Sequence, residues 1–309
     1  MSGEDPGAAW MRHMRMGEWE EAWRLSDAIL PRPRDWTLPR HFQHVWTGAP
    51  VAGRRVLVRC YHGLGDTIQF IRFVPMLRRV AAEVVVWAQP ALIPILRTVP
   101  EVGTLLPLHD GAPECEYDTD LEIMELPHLL RVTPATLPAA VPYLHPPRRE
   151  LPGDAFKVGV VWAAGDWDGR RSIPPALLAP LARIPGVELH RLQRGAALAD
   201  WPAGVGWLSG SDDVVEAASL MTALDLVISV DSMPAHLAGA LGRPVWTLLH
   251  ADADWRWMEG REDSPWYPTM RLIRQDRPGA WQGVAARVAA DLAALSRRRA
   301  PPPRAAAAR

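Results

Sequence analysis

The stretch RVLVRCYHGLGDTIQF, residues 55–70, decides the fold. Its first six residues form a short, valine-rich run, which predicts a buried β-strand. Helical spacing of apolar residues begins at Thr67 and continues through TIQFIRFVPMLRRV. Between the two elements lie two glycines, Gly63 and Gly65, and one acid, Asp66. A strand that passes directly into a helix is the unit from which parallel sheets with helices on both faces are built.

The alternation of strands and helices continues along the chain and restarts once. In the first half, strands are predicted at residues 83–89, 102–108 and 117–126, with a helix at 90–99. Prolines interrupt residues 134–155, and this segment is predicted to be an interdomain linker because proline resists helix interiors and central strands. In the second half, strands are predicted at residues 156–164, 187–193, 225–230 and 244–250, and helices at residues 174–184, 214–224, 234–242 and 279–299.

These patterns predict an α/β fold with two Rossmann-like, doubly wound domains that face a cleft, preceded by a short helical segment. The predicted ranges are residues 1–35 for a helical hairpin, 50–145 for the first domain, 155–298 for the second and 299–309 for a disordered tail. The GEWEEAW sequence within the hairpin resembles part of a tetratricopeptide unit. One such unit cannot bury its own apolar face, so a docking role is favoured over a peptide-binding array.

The composition is that of an ordinary globular protein and excludes several classes. Hydrophobic residues make up 48% of the 309 residues and charged residues 22%, which is typical of a folded domain. A formal net charge of −1 gives no basic field for nucleic acid. No apolar run approaches the ~20 residues of a membrane span, and the N-terminus lacks the pattern of a secretory signal. Cys60 and Cys115 fit no metal-ligand spacing. A cytoplasmic protein is therefore expected, with peripheral membrane contact left open.

A second informative stretch, ISVDSMPAHLAGALGRPVW at residues 228–246, predicts an anion site. Asp231 and Ser232 follow a predicted strand and are residue types that commonly cap helix N-termini. The first helical turn, which includes Met233 and His236, presents free backbone N–H groups and the positive end of the helix dipole. Ordinary capping accounts for the aspartate and the serine but not for a histidine in the first turn, which can donate a further hydrogen bond. The stretch therefore favours phosphate binding.

Together, VDSMPAHLAGALGRP and GLGDTIQF resemble the lipopolysaccharide heptosyltransferases, glycosyltransferase family 9. The similarity is closest to the shorter, tetratricopeptide-associated relatives, and the blocks RRSIP, SPWYPTMRL and EIMELPHLL also resemble them. The resemblance implies a glycosyltransferase-B fold and an inverting transferase that needs no metal and no cofactor. It also implies that a nucleotide-diphosphate sugar, with ADP-sugar favoured, binds the C-terminal domain and that the acceptor faces the N-terminal domain.

Glycosyl transfer needs a base for the acceptor hydroxyl, and Asp66 is the candidate. The carboxyl end of its strand points into the cleft, and Asp66 matches the acid of the family's Gly-Asp motif. Gly63 and Gly65 are expected to admit the acceptor and to permit positive φ, with Gln69 on the same side. An acid at this place is also a good helix cap, and a carboxylate fully used as a cap is a weaker base. Ile68 excludes the G-x-G-x-x-G dinucleotide pattern.

Charge on the departing diphosphate needs cations or oriented dipoles. The only lysine is Lys157, so an arginine is the expected phosphate ligand. Arg171 matches the basic residue that the family places before its Ile-Pro step, whereas Arg170 is interpreted more readily as a solvated neighbour. Where heptosyltransferases are expected to contact the ribose with an acid, this chain has Ala197, with Asp200 nearby. The nucleotide and the sugar therefore stay open.

The other polar and aromatic candidates are interpreted as structural. Residues 118–120 imitate a D-x-D metal motif that belongs to a different glycosyltransferase fold, so no metal is expected. His41 and His44 are interpreted as surface residues, and Trp255 and Trp257 suit sugar stacking or core packing equally. The leading hypothesis is sugar transfer to a glycan or a protein acceptor. The alternatives are a partner protein that has lost catalysis and a sugar-nucleotide epimerase.

Overall fold

A computed structural model describes residues 5–30 and 33–299 and contains two parallel β-sheets, one in each half of the chain. The predicted α/β architecture with two Rossmann-like units and a preceding helical segment is confirmed. The predicted tail at 299–309 lies outside the described residues, apart from the backbone of its first residue at the end of the last helix.

Two short helices precede the sheets and pack against each other, α1 (Pro6–Met16) and α2 (Trp19–Asp27). Gly17 ends the first helix with φ 79°, a left-handed conformation that glycine adopts without steric cost. The Trp19 ring stacks on Trp266 with centroids 5.2 Å apart, and Trp23 Nε1 donates to the backbone oxygen of Val132 at 2.7 Å. The pair is thus built into the core of the protein. Its tetratricopeptide resemblance stays a prediction.

The first sheet consists of β1 (Arg55–Arg59), β2 (Glu83–Ala88), β3 (Thr104–Pro107) and β4 (Thr119–Glu122). Its strands lie in the order β3-β2-β1-β4. The helices of this half are short: α3 (Leu64–Phe70), α4 (Val74–Arg78), α5 (Ile93–Leu96) and α6 (Leu126–Leu129). The carboxyl ends of β1 and β4 are neighbours, because Arg59 pairs with Glu122 in the sheet register.

The second sheet consists of β5 (Phe156–Val161), β6 (Val187–Arg191), β7 (Trp207–Leu208), β8 (Leu226–Val230), β9 (Val245–Leu249) and β10 (Met270–Arg274). Its strands lie in the order β10-β9-β8-β5-β6-β7. The helices are α7 (Val214–Thr222), α8 (Met233–Ala240) and α9 (Trp281–Arg299). Within the described ranges, no helix is long and apolar enough to cross a membrane.

Proline explains where predicted helices are broken. The helix predicted from Thr67 begins earlier, at Leu64, and a 3-10 turn at Ile71–Phe73 separates α3 from α4. Pro75 follows that turn and lacks the N–H that would continue the helical ladder. The helix predicted at residues 174–184 is replaced by two 3-10 segments, each with a proline in its first turn.

Two strands of the second sheet were not predicted. β7 has only two residues, both exposed, so it carries no apolar run to recognise. β10 is interrupted by arginines, and its burial depends on pairing beside β9. Both lie at the edges of the sheet, where sequence signals for strands are weakest.

One continuous cluster of buried apolar side chains joins the helical pair and both sheets. At its centre Phe70 and Phe73 of the first half meet Trp266 of the second half edge to face, at 5.7 and 6.4 Å between ring centroids. Trp19 covers the same indole from the N-terminal side. Trp266 is therefore the point at which all three parts of the chain are packed together.

Replacement of Trp19 by alanine should destabilise the whole protein, since the indole is 1% exposed and fills the space beside Trp266. We expect the free energy of unfolding, measured by urea denaturation, to fall by about 3–5 kcal/mol. Trp207→Ala is the matched control because this indole is 64% exposed, and its effect should be small. Equal effects of the two substitutions would show that the helical pair is not part of the cooperative core.

Candidate functional site

The two halves of the chain meet where α3 packs against the first turn of α8, a contact that we call the seam. Gly65 lies at its closest point. A Cβ atom at this position would lie 2.9 Å from His236 Cδ2 and 3.3 Å from Met233 Cα, so a side chain here would force the halves apart. The expected positive φ is wrong for both glycines of the loop, since Gly63 has φ −66° and neither is in the left-handed region. Gly65 is required by close approach.

Asp66 bonds to the start of its own helix and is also one half of an ion pair across the seam. Its Oδ2 accepts a hydrogen bond from the backbone N–H of Gly63 at 3.0 Å. Because α3 begins at Leu64, the capping position is Gly63, and Asp66 bonds back to it from the first turn instead of being the cap residue that the sequence suggested. Its Oδ1 accepts a hydrogen bond from Arg256 Nη2 at 2.6 Å. Both carboxylate oxygens are therefore engaged in this closed arrangement.

Arg256 was not identified from the sequence, although it holds the seam together. It lies in a 3-10 turn at Trp255–Trp257, between β9 and β10, and is 7% exposed. Besides Asp66, its guanidinium donates to Asp254 Oδ1 at 2.8 Å and to Gln69 Oε1 at 2.9 Å. Gln69, predicted on the acceptor side, thus faces this arginine. The sequence feature that could have pointed to Arg256 is DWRW at residues 254–257, an arginine between two tryptophans that follow an acid.

The flanking tryptophans pack in the core. Trp257 is fully buried, so core packing describes it in this conformation. Trp255 is 7% exposed and is also packed, but it keeps one part at the wall of a pocket. Met258 ends the turn with φ 46°, a strained value for a residue with a side chain. The turn is therefore held by its packing and by the contacts of Arg256.

The amino-terminal turn of α8 is not capped by a side chain. Ser232 occupies the capping position, but its hydroxyl donates to the backbone oxygen of Val230 at 3.2 Å. Asp231 lies just before it and is buried; its burial and the nearby Asp254 carboxylate raise the pKa of Asp231 to about 6. The capping role predicted for Asp231 and Ser232 is thus not realised by their side chains, which leaves the helix dipole available to an anion.

His236 lies inside the seam and does not face solvent as a cation. Its Nδ1 lies 3.0 Å from the Tyr267 hydroxyl, and its ring stacks on Trp257 with centroids 5.4 Å apart. Burial, together with the positive charges of Arg256 and its neighbours, holds the pKa of His236 well below its usual value of 6.5. A hydrogen bond from His236 to a phosphate would therefore come from a neutral ring.

The two adjacent arginines of the second half differ in their partners. Arg171 Nη1 donates to the backbone oxygen of Asp231 at 3.1 Å, which places a cation at the start of α8. Arg170 instead forms a bidentate pair with Asp168, at 2.9 and 2.8 Å, and is exposed. The geometry agrees with the predicted preference for Arg171.

Other sequence candidates have structural partners. Asp120 is buried between Arg59 and Arg34, at 2.7 and 2.6 Å, and Asp118 pairs with an arginine of β1, so the D-x-D resemblance describes ion pairs. Within the part of the chain that the structure describes, no group of three or more potential ligands is arranged to hold a metal ion.

The structure also places the linker histidines and the segment expected to contact a ribose. His41 is exposed as expected, but His44 is only half-exposed and lies 3.0 Å from Glu125. Ala197 and Asp200 lie in a 3-10 turn; the backbone oxygen of Ala197 accepts from Trp162 Nε1 at 3.3 Å, and Asp200 is exposed. The position expected to contact a ribose therefore offers a backbone and not a carboxylate.

Known proteins share this architecture. The family model described as glycosyltransferase family 9 (heptosyltransferase) matches residues 190–278. A glycosyl transferase family 9 structure from Veillonella parvula superimposes with TM-score 0.59 at 13% identity, over 80% of this chain and 99% of that one. The ADP-heptose lipopolysaccharide heptosyltransferase II of E. coli gives TM-score 0.57 at 16% identity, over 79% and 99%. The predicted glycosyltransferase-B fold and the resemblance to glycosyltransferase family 9 are confirmed.

Two further comparisons extend this picture. E. coli heptosyltransferase WaaC, solved with ADP-2-deoxy-2-fluoro heptose, gives TM-score 0.51 at 15% identity, over 78% of this chain and 99% of that one. Protein FlbA of Caulobacter vibrioides is 29% identical over 321 residues, which cover 90% of this chain and 52% of that protein. The chain thus spans about half the length of this curated relative.

The buried Asp231 gives a pH-dependent stability. The ordinary pKa of an aspartate is 3.8, whereas that of folded Asp231 is about 6. From about pH 4 to pH 6 the unfolded chain ionises this carboxyl and the folded chain does not, so stability is lost as the pH rises. We expect the free energy of unfolding to fall by up to about 3 kcal/mol more in the wild type than in Asp231→Asn across this interval.

Urea denaturation at a series of pH values measures this difference. Asp200→Asn, at an exposed aspartate of the same half, should keep the pH dependence of the wild type. If the Asp231→Asn and wild-type profiles run parallel from pH 4 to pH 6.5, the raised pKa of Asp231 is wrong.

Proposed function

We propose that the protein is an inverting, metal-independent glycosyltransferase that uses a nucleotide-diphosphate sugar. The observation that carries the proposal is the meeting of two features from different sheets: the Asp66 turn at the end of β1, and the uncapped start of α8 with Arg171 beside it. The match to the heptosyltransferase family model, which includes α8, supports the donor assignment. The ADP and ADP-sugar analogue named for solved heptosyltransferases support ADP-sugar as the donor.

In the proposed reaction, Asp66 takes the proton of the acceptor hydroxyl as the hydroxyl oxygen bonds to the anomeric carbon. The bond from that carbon to the diphosphate breaks at the same time, and the nucleoside diphosphate leaves with the electron pair. Arg171 and the backbone N–H groups of α8 stabilise the negative charge on the leaving group. His236 contributes as a neutral hydrogen-bonding ring.

The closed seam sets a condition on this reaction. Gly65 touches the first turn of α8 so closely that a methyl group does not fit, so a diphosphate cannot lie between α3 and α8 in this arrangement. Donor binding therefore requires the halves to separate there, and the pair of Asp66 with Arg256 must lengthen or break. Separation also frees one oxygen of Asp66 for the acceptor proton.

Replacement of Arg171 by alanine should weaken nucleoside-diphosphate binding, because a guanidinium is lost at the start of α8. A charge-assisted hydrogen bond is worth about 1.5–3 kcal/mol, so the Kd for ADP should rise about 10-fold to 100-fold. Arg170→Ala is the matched control; its side chain already pairs with Asp168, and its Kd should stay within about threefold of the wild type. Isothermal titration calorimetry distinguishes the two, and equal affinities would remove Arg171 from the donor site.

Replacement of Asp66 by asparagine should abolish most of the turnover, since a positioned base contributes typically ~10²–10⁴-fold. ADP affinity should be unchanged or higher, because the substitution weakens the contact with Arg256 that donor binding has to break. Sugar transfer and ADP titration are measured on the same preparation, with circular dichroism as the check on folding. Asp118→Asn is the control, because Asp118 is an acid of the same half that pairs with Arg55. Full activity of Asp66→Asn would exclude Asp66 as the base.

A catalytically decayed partner protein is the second candidate, and the closed seam favours it. A protein that has lost catalysis has no need to open between its two halves. The ion pair of Asp66 with Arg256 and the close contact at Gly65 fit such a permanently closed arrangement. If a thermal-shift panel of nucleoside diphosphates stabilises nothing, this alternative replaces the transferase.

A further inference from the structure

A pocket of about 300 Å³ opens on the side of the seam where Trp255, the neighbour of Arg256 in the chain, forms part of its wall. Its walls come from α1 and α2, from residues 41–44, from the carboxyl end of β4 and from Trp255. Met124 connects the pocket to the seam, since its Sδ lies 3.7 Å from Arg256 Nη2, the same atom that holds Asp66. The pocket thus reaches the Asp66–Arg256 pair through one side chain, that of Met124.

Three indoles give the pocket its apolar surface. Trp10 and Trp255 meet edge to face with centroids 5.5 Å apart, and Trp23 lies 6.4 Å from Trp10. The indole N–H groups of Trp10 and Trp23 are already bonded, to Ser26 and Val132, so both rings offer apolar contact only. Aromatic walls of this kind bind flat or ring-shaped ligands through their apolar faces. The volume is at the lower end for ligand pockets and suits one ring.

The polar lining carries acids and histidines. Glu122 accepts hydrogen bonds from the backbone of Tyr61 and Met124 at 3.1 and 2.7 Å, and Glu125 accepts from Val45 at 3.0 Å. No lysine or arginine is among the described residues that line the pocket. An anionic ligand would lie beside two carboxylates, the buried Glu122 and the half-buried Glu125, and the nearby His62 is already paired with Glu122, so the pocket disfavours negative charge.

The histidines supply hydrogen-bonding atoms. His62 Nδ1 lies 2.9 Å from Glu122, which leaves Nε2 as the ring nitrogen available to a ligand. Burial opposes the charged form of His62, but contact with Glu122 outweighs it and raises the pKa of this ring. His44 Nε2 and Gln43 Oε1 are buried without a hydrogen-bond partner among the described residues. Both side chains belong to the pocket wall, so each brings a polar group without a partner to this region, and a rotation of either side chain would present that group to a ligand hydroxyl.

We propose that this pocket is the acceptor site and that it binds an uncharged ring bearing hydroxyl groups, as in a neutral sugar residue. The proposal rests on the transferase function proposed above. Three indoles around one small pocket favour a ring over an extended peptide, and the two glutamates favour a neutral ring over a uronic or other acidic one. The helical pair is then part of the active site, because Trp10 and Trp23 form one wall of it.

Saturation-transfer NMR on the full chain tests the proposal with matched probes: the methyl glycosides of glucose and galactose against those of glucuronic and galacturonic acid. We expect at least one neutral glycoside to bind and its acidic counterpart to bind at least about tenfold more weakly. His44→Ala should weaken the neutral glycoside about tenfold by removing a polar group of the wall. Trp10→Leu, at a half-buried position, should do the same through the lost aromatic face.

His145→Ala is the control, since this histidine is exposed and lies away from the pocket lining. ADP titration on each variant separates the two proposals. Binding of ADP without any neutral glycoside overturns the acceptor pocket alone, and glycoside binding without any nucleoside diphosphate overturns the transferase alone. Three further results overturn the neutral-ring assignment. The first is binding of acidic glycosides as tightly as neutral ones, and the second is binding of the glycosides by both pocket variants like the wild type. The third is displacement of the glycosides by a serine- and threonine-containing peptide but not by other sugars.

Discussion

One buried guanidinium, that of Arg256, is the interaction on which the closed arrangement of the two halves depends. A charge taken out of water is tolerated only when its partners satisfy it, and removal of one partner of a buried pair is costly. Asp66 and Gln69 come from the first half of the chain and Asp254 from the second, so the arginine is satisfied only when the halves are together. The same contact orients the carboxylate at the end of β1. The sequence left open whether the Asp66 carboxylate is used at the start of its own helix. One of its oxygens is, through the N–H of Gly63, and the other binds Arg256.

The charge states of the residues at the start of α8 depend on the burial of the seam. His236 is neutral because it is buried among arginines, and Asp231 is harder to ionise because it is buried beside Asp254. Arg171 remains as the cation at the start of α8, where it donates to the backbone oxygen of Asp231 and lies over the Trp167 ring. A diphosphate that entered here would meet an uncapped helix terminus and the Arg171 guanidinium, without the added positive charge of a protonated histidine. The site therefore depends on burial for its charge pattern as much as on residue type.

Local signals predicted the elements, and long-range contacts account for what was missed. The strand at residues 55–60 and the helix opened by Ser232 were predicted, because each depends on neighbours in the chain. The prolines were visible in the sequence, but a continuous helix was still predicted at residues 174–184, where the structure has two 3-10 segments. Arg256 could not be paired with Asp66 from sequence, since 190 positions separate them. For Gly65 the residue was right and the reason was wrong, because the need is for space and not for positive φ.

The helical pair changes how the acceptor side of the protein is understood. In a protein of two facing sheets, the acceptor surface would be the loops at the end of the first sheet alone. Here Trp10 and Trp23 close that surface into a pocket, and Trp255, the neighbour of Arg256, forms part of another wall. α1 packs against the turn Trp255–Trp257 of the second half, whereas Trp23 of α2 bonds to Val132 of the first half, so the helical pair bridges the two sides of the seam. Under the proposed function, a movement that opens the seam for the donor acts on the proposed acceptor pocket as well, through the helical pair and the turn Trp255–Trp257.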